Sequence, residues 1–418
     1  MTPTRRIGPM LRLVLGAGAA LQPLAGPMLR RRLARGKEDP DRVREKLGHA
    51  SAPRPDGPLV WLHGVGVGEV MALRGLIAAL SDARPDLWFL VTSSARSSGE
   101  VFAANLPPRT IHQYLALDMP GPVARFLDHW RPDLAIWSDQ EVWPRLAVTC
   151  ARRGIPQAYV AARITDASAK ARARFGRAYG DLYALMDAIH AQDEGTAGHL
   201  RDMIGDAARV AVSGSLKAAA APLAALPDVQ ARLPDRAFTW VAASAHRADI
   251  DVALQAQAAG APGLLIIAPR VLGDADYIAQ SCDRLALTYC QRSQNAWPDA
   301  ATQVFIADSF GELGAWYAKG QAALIGGTFD GTEGHNPWEA AALDCAVIHG
   351  PHVANFRTDF AQLHGADAAV EVKTAPQIVD ALGRSDLAAI AQRARDVRDT
   401  AARGLSVIAD DLLGLLPR

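Results

Sequence analysis

Cysteine is scarce: Cys150, Cys282, Cys290 and Cys345 are scattered through 418 residues without a CxxC pair. That spacing excludes a disulfide framework and the common zinc motifs, and buried free thiols suit a reducing compartment. An excess of charge of one sign is also missing, because Lys plus Arg and Asp plus Glu both number 44. No global basic field is available to hold a nucleic acid. Nor is there an uninterrupted apolar run of about 20 residues, the length a spanning helix needs. The nearest candidate, LRLVLGAGAALQPLAGPML, is broken by Pro23 and Pro27. Heptads, solenoid repeats and low-complexity tracts are absent too.

What remains is a globular composition, 50% hydrophobic and 21% charged, with enough apolar material for two cores of about 200 residues each. Charge is unevenly spread. Residues 1–37 hold Arg5, Arg6, Arg12, Arg30, Arg31, Arg32, Arg35 and Lys37 and no acidic residue. The n-region and h-region pattern of a signal peptide is present, but no A-x-A cleavage site precedes the folded part. The segment 1–35 reads as a helix lying on an anionic leaflet. The alternative is a helix packed on its own domain.

Beyond residue 57 short apolar runs alternate with longer amphipathic ones. LVWLHG, LWFLVTSS, LAIWSD and QAYVAA read as buried strands, each followed by a helix. That repetition predicts βαβ units around a mostly parallel sheet. ARVAVSGSLKAAAAPLAALPDV breaks the rhythm, and the domain boundary is placed there, between 36–212 and 213–418. A second series follows in FTWVAAS, GLLIIAPR, LTYC, TQVFIAD, AALIGG and AVIHG. The fold class is α/β, two Rossmann-like domains in tandem. In such sheets ligands bind beyond the carboxyl ends of the strands.

Unusual residues gather at those ends. In HGVGVGEV, Gly64, Gly66 and Gly68 allow a tight turn into a helix that opens with Glu69. The spacing is GxGxG, not the dinucleotide GxGxxG, so a nicotinamide cofactor is poorly supported. Glu69 either complements the helix dipole or serves chemistry. In LAIWSDQEVWPRL, Asp139 and Glu141 repel one another unless a cation or a hydroxyl-rich ligand faces them, the alternative being a helix cap. ALIGGTFDGTEGHNPWEAAAL is the richest stretch. Its Gly326, Gly327, Gly331 and Gly334 precede His335, Asn336 and Glu339; the glycines let amides approach a phosphate, and the glutamate can bond two ribose hydroxyls. DSFGEL repeats the pattern with Gly311, and IIAPR ends a strand at Arg270, where a guanidinium can meet a phosphate. A phosphate-bearing ligand on the second domain explains all three.

Taken in order, these stretches resemble the 3-deoxy-D-manno-octulosonic acid (Kdo) transferases of lipopolysaccharide inner-core biosynthesis. The likeness runs from RGKEDPDRVREKLG through WLHGVGVGEV, LDMPGPVARFLDHWRPDLAIWSDQEVWP, PQAYVAARITDAS and SGSLK. It continues through APR, DSFGEL and GGTFDGTEGHNPWEAAAL to GPHVANFR. The resemblance implies a GT-B fold with a cleft between its domains and a last helix that packs back on the N-terminal one. It implies an acceptor domain facing the cytoplasmic side of the inner membrane and lipid A, and a C-terminal domain for CMP-Kdo. It also implies inverting, metal-independent transfer without a cofactor. Glu69 would be the general base. Arg270, Gly311, Glu312, Gly327, Asn336 and Glu339 would hold the donor nucleotide, with Ser244, His246, His335 and Lys217 in support. Gly66, Gly68, Asp139, Glu141 and Arg163 would line the acceptor side. His335 either orders its loop or touches ligand.

The chain departs from the pattern in places. The glutamate-threonine-glutamate run is Asp139, Gln140, Glu141, and the following asparagine is Arg145. The asparagine-alanine-arginine motif keeps only Ala162 and Arg163. SAHRADI has Ala245 for a hydroxyl and Ile250 for the second glutamate, and Val271 follows Pro269 and Arg270. Read as donor contacts, each lost hydrogen bond to a charged group would cost about 1.5–3 kcal/mol. The choice is then between a divergent Kdo transferase, a relative with another donor or acceptor, and a catalytically silent membrane-bound member.

Overall fold

The computed structural model describes residues 7–205, 210–220, 222–235 and 237–417; Arg5 and Arg6 lie outside them. The chain divides into two compact units, Met1–Ala220 with Ala401–Arg418, and Ala221–Thr400. Each is a seven-stranded parallel sheet covered by helices, so both are Rossmann-like and the α/β class stands.

In the first unit the strands are β1 Leu59–His63, β2 Trp88–Ser93, β3 Thr110–Tyr114, β4 Leu134–Ser138, β5 Gln157–Ala162, β6 Ala188–Ala191 and β7 Val210–Val212. Their order is β3-β2-β1-β4-β5-β6-β7. Both faces are buried, which is why β1 reads as one continuous apolar run. Leu59 and Trp61 enter one core with Phe126, Trp130 and Trp137. Val60 and Leu62 enter the other with Leu73, Leu76 and Ile77 of helix α3, Val67–Ala83.

In the second unit the strands are β8 Thr239–Ala245, β9 Leu264–Pro269, β10 Tyr289–Gln291, β11 Val304–Ile306, β12 Ala322–Ile325, β13 Ala346–His349 and β14 Ala369–Glu371. The order β10-β11-β9-β8-β12-β13-β14 repeats the same reversal about a central pair. One face is filled by Trp240, Ala242, Leu265, Ile267, Leu324 and Ile348.

Several expectations need amendment. The division falls after Ala220, not at 213, because the segment past the edge strand Val210–Val212 stays with the first unit, where Leu216 packs into the core. Four strands escaped the sequence reading: β3, β6, β7 and β14. They are three to five residues long. In β3 and β6 histidine or glutamine interrupts the apolar signal, as His112, Gln113 and His190 do while remaining buried. The final helix, Leu387–Leu415, gives Leu387 and Ile390 to the second unit's core and Ile408, Ala409 and Leu412 to the first's.

The N-terminal segment forms helices α1, Pro9–Ala20, and α2, Ala25–Ala34. Leu11 and Leu15 of α1 are buried in the first unit's core. Asp181 accepts from the Gly8 N–H at 3.0 Å, and Gln22 Oε1 accepts from the Gly121 N–H at 2.7 Å. The opposite side stays apolar and exposed, with Met10, Leu13, Leu21, Leu24 and Met28 in the open, Leu13 at 66%. No helix among the described residues is long and apolar enough to cross a membrane.

Leu412 is fully buried between the final helix and α3's side of the first sheet. Leu412→Ala leaves a cavity there and is expected to cost about 2–5 kcal/mol. Denaturant titration followed by tryptophan fluorescence should show an earlier transition of the first unit; an unchanged midpoint would mean the helix end contributes nothing to that core.

Candidate functional site

The first unit's sheet reverses its order between β1 and β4, the crevice where a Rossmann-like sheet offers a ligand site. β1 ends at His63, whose carbonyl accepts from Ser138 Oγ of β4 at 2.7 Å. His63 is fully buried beside Thr92, and burial drives its pKa down to about 3, so it is neutral. After the glycine loop α3 starts, and Glu69 is its third residue. A Cβ added at Gly66 or Gly68 would meet nothing within 4 Å, so the loop itself is open at both glycines.

Glu69 lines a small recess with Ser138, Asp139, Gln192, Ser215 and Lys217. Its Oε2 accepts from the Val65 N–H at 2.8 Å. Burial first, and the Asp139 charge second, raise its pKa to about 7, against the Val65 bond and the Lys217 charge. Asp139 itself is well compensated. Arg163 Nε donates to its Oδ1 at 3.0 Å and the Lys217 ammonium lies 3.6 Å from Oδ2. Its backbone is left-handed, φ 59, and its carbonyl accepts from Tyr159 Oη and the Arg163 N–H. Glu141 is half-buried, its Oε2 without a partner among the described residues, and burial raises its pKa. The structure thus brings Glu69, Asp139, Arg163 and Lys217 together. Lys217, expected in the second domain, belongs to the first unit, as a consequence of the later division.

The second unit reverses between β8 and β12, and its distinctive residues meet there. His246 Nε2 at the end of β8 lies 3.0 Å from His335 Nε2 in the loop after β12, with the rings stacked 5.2 Å apart. Burial, then the His246 and Arg270 charges, lower the His335 pKa to about 4. Arg270 follows β9, with its N–H bonded to the Ala245 carbonyl at 2.9 Å and its side chain exposed. Glu339 is partly buried; burial raises its pKa while Asn336, at 3.5 Å, and Arg270 oppose the rise. Ser244 sits at a bulge between β8 and β9 with φ 52. Gly326 must be glycine, since a Cβ there would lie 2.3 Å from the Ser244 carbonyl oxygen.

Three sequence expectations change here. The glycine loop after β12 predicts amides open to a phosphate, but those of Gly327, Thr328 and Phe329 donate to Asp249, at 2.7, 3.2 and 3.1 Å. Gly327, with φ 67, supplies the turn that aims them inward. Glu312 does not stand free for a nucleotide: Arg292 grips its carboxylate at 2.8 and 3.0 Å, and the Ser309 hydroxyl donates to it as well. Gly311 turns that loop with φ 82. Ala245 and Ile250 are both 0% exposed within the second core, so they are packing positions and not lost donor contacts. Val271, 55% exposed, is the one departure of these three at the surface. Asp249 was missed as a site residue; the H-x-x-D spacing of a helix N-terminal box was its sequence signal.

A family model described as 3-deoxy-D-manno-octulosonic-acid transferase (kdotransferase) matches residues 41–220. A probable mitochondrial 3-deoxy-D-manno-octulosonic acid transferase of Arabidopsis thaliana is 31% identical over 357 residues, 80% of this chain and 78% of that protein. The 3-deoxy-D-manno-octulosonic acid transferase of Bordetella pertussis is 31% identical over 351 residues, 79% of this chain and 80% of its own. Among solved structures, the UDP-GlcNAc 2-epimerase of Neisseria meningitidis superposes with a TM-score of 0.57 and 12% identity, covering 85% of this chain and 99% of that one. At that identity the likeness carries the GT-B-type fold alone. Similarity at 31% across most of both sequences makes the chain a glycosyltransferase that belongs to the 3-deoxy-D-manno-octulosonic acid transferase family.

Proposed function

We propose that the protein transfers Kdo from CMP-Kdo to a lipid A-type precursor, with inversion, without a metal ion, and at the cytoplasmic face of the inner membrane. The observation that carries the reading is Glu69: a carboxylate lining a recess with Asp139 and Lys217, whose pKa of about 7 suits a general base at neutral pH. It removes the proton of the acceptor hydroxyl as that oxygen attacks the anomeric carbon, and CMP leaves with the bonding electrons. A helix N-terminus alone would hold Glu69 at low pKa and make it a weak base. Burial and Asp139 reverse that, while Arg163 and Lys217 both contact the Asp139 carboxylate.

The second unit fits a donor with a single phosphate. Its loop amides are spent on Asp249, which leaves the exposed Arg270 guanidinium as the main cation for the leaving group. Arg270 then does the neutralising that a bound metal would otherwise do. The case for a different donor rested on lost polar contacts, and it is weakened because Ala245 and Ile250 lie in the core. The exposed face of α1 and α2, apolar residues flanked by Arg30 and Arg31, suits an anionic bilayer surface.

Transfer of in situ generated CMP-Kdo to a lipid IVA-type acceptor tests the function directly. Glu69→Gln should reduce the rate by about 10²-fold or more, and the wild-type rate should rise with pH through a midpoint near 7 as Glu69 loses its proton. Wild-type protein inactive on this pair would move the assignment to another donor or acceptor. Asp139→Asn removes the like charge beside the base, so the midpoint should move to lower pH; Lys217→Met should move it higher. A midpoint that ignores both variants would separate Asp139 from the base's ionisation. Leu13→Glu with Leu24→Glu should weaken cosedimentation with phosphatidylglycerol vesicles by about tenfold or more, and undiminished binding would remove the membrane role from this face.

A further inference from the structure

The two units use one structural position in two ways. In each, the strand beside the order reversal runs into a helix whose third residue is a carboxylate: Glu69 in α3, and Asp249 in the helix Arg247–Ala258. In each, a left-handed residue lies just past the neighbouring strand: Asp139, φ 59, directly after β4, and Gly327, φ 67, two residues past the end of β12 at Ile325. Glu69 keeps one N–H partner, Val65, and lines a small recess. Asp249 is 0% exposed and accepts from four backbone N–H groups. Its Oδ2 receives His246 at 2.9 Å and Gly327 at 2.7 Å; its Oδ1 receives Thr328 at 3.2 Å and Phe329 at 3.1 Å.

No salt-bridge cation accompanies Asp249 among the described residues, so the amides alone solvate it. A carboxylate buried with that many donors fixes the backbone around it, because displacing any one of them leaves a buried acceptor short. The backbone it fixes carries the nucleotide-facing groups. His246 caps the helix that Asp249 opens. The loop folds back so that Gly334 N–H bonds the Gly327 carbonyl at 2.7 Å and His335 N–H bonds the Gly326 carbonyl at 3.1 Å. A shift of residues 326–329 therefore carries His335 with it, and with His335 its contact to His246.

We propose that Asp249 is a positioning residue for the donor nucleotide: it clamps the glycine loop 326–329 to the helix start at His246 and so holds His246 and His335 in register with Arg270. The inference rests on the reading that this end of the second unit binds a nucleoside monophosphate. Asp249 does not touch the ligand. Its carboxylate takes the place in this loop that a ligand phosphate takes in a loop with free amides.

The test uses the full chain and CMP as probe, by isothermal titration calorimetry, with thermal melting to establish that each variant is folded. Asp249→Asn turns one acceptor oxygen into a donor facing N–H groups, and CMP affinity should fall about tenfold or more. Asp249→Glu restores a charged acceptor and should recover most of that loss. With donor and acceptor varied in the transfer assay, Asp249→Asn should raise KM for the donor and leave KM for the acceptor unchanged, a split that general loosening would not produce. Folded Asp249→Asn with wild-type CMP affinity overturns the inference alone, as does folded Asp249→Glu that binds no better than Asn. Wild-type protein that binds no CMP overturns the donor reading and this inference with it. Amide hydrogen exchange on the wild type decides the matter even where Asp249→Asn does not fold. Residues 327–329 should be protected without CMP and unchanged by it, whereas rapid exchange slowed only by CMP would show amides waiting for phosphate.

Discussion

A carboxylate taken out of water keeps its charge only where donors or cations meet it; otherwise it takes up a proton. Asp139, Asp249 and Glu69 meet that constraint in three ways. Asp139 has a guanidinium and an ammonium. Asp249 has four amides. Glu69 has one amide and a like charge for a neighbour, and burial with that charge lifts its pKa to about 7. The useful basicity of Glu69 comes from what has been withheld from it. Supplying a second donor there would make a better-satisfied side chain and a poorer base.

The topology decides where those carboxylates stand. A parallel sheet whose strand order reverses leaves a crevice at the carboxyl ends of its two central strands. β1 and β4 supply it in the first unit, β8 and β12 in the second. Glu69, Asp139 and His246 lie within a few positions of those strand ends, while Arg163 and Arg270 directly follow the neighbouring strands β5 and β9. The strands are apolar on both faces and hold the crevice walls rigid. Left-handed backbone is tolerated at Asp139, Ser244 and Gly327 because ladders and buried hydrogen bonds on either side fix it.

That arrangement explains what the sequence disclosed and what it concealed. Long apolar runs at strand positions gave the class, the two units and the strand ends, and Glu69, Asp139, His246 and Arg270 were visible as polar residues at those ends. Short strands were hidden, because TIHQY and AIHA bury their histidines and so break the apolar signal. Hydrogen-bond partners across the fold were hidden as well. Glycines in GGTFDGTEG suggest amides free for phosphate, and nothing local reveals that a carboxylate 78 residues earlier already holds the Gly327 N–H. Burial was concealed in the same way: Ala245 and Ile250 look like losses in a list of polar positions and prove to be core residues.

Arg145 is a departure from the family pattern whose meaning depends on a distant part of the chain. It stands where the resemblance has asparagine, at the start of the helix Pro144–Arg152, and its N–H and that of Leu146 donate to Asp118 at 2.9 and 2.8 Å. Those bonds satisfy the helix start without the help of a side-chain amide. The arginine side chain is then free to reach α1, where it donates to the Leu15 carbonyl. Together with Asp181 and Gln22 it fixes α1 to the unit that holds Glu69. An arginine here ties α1, at its buried Leu15 turn, to the start of the helix that follows the Asp139 loop. A substitution that reads as erosion when aligned with a motif is, in this fold, one of the bonds that orient the N-terminal helix on its own unit.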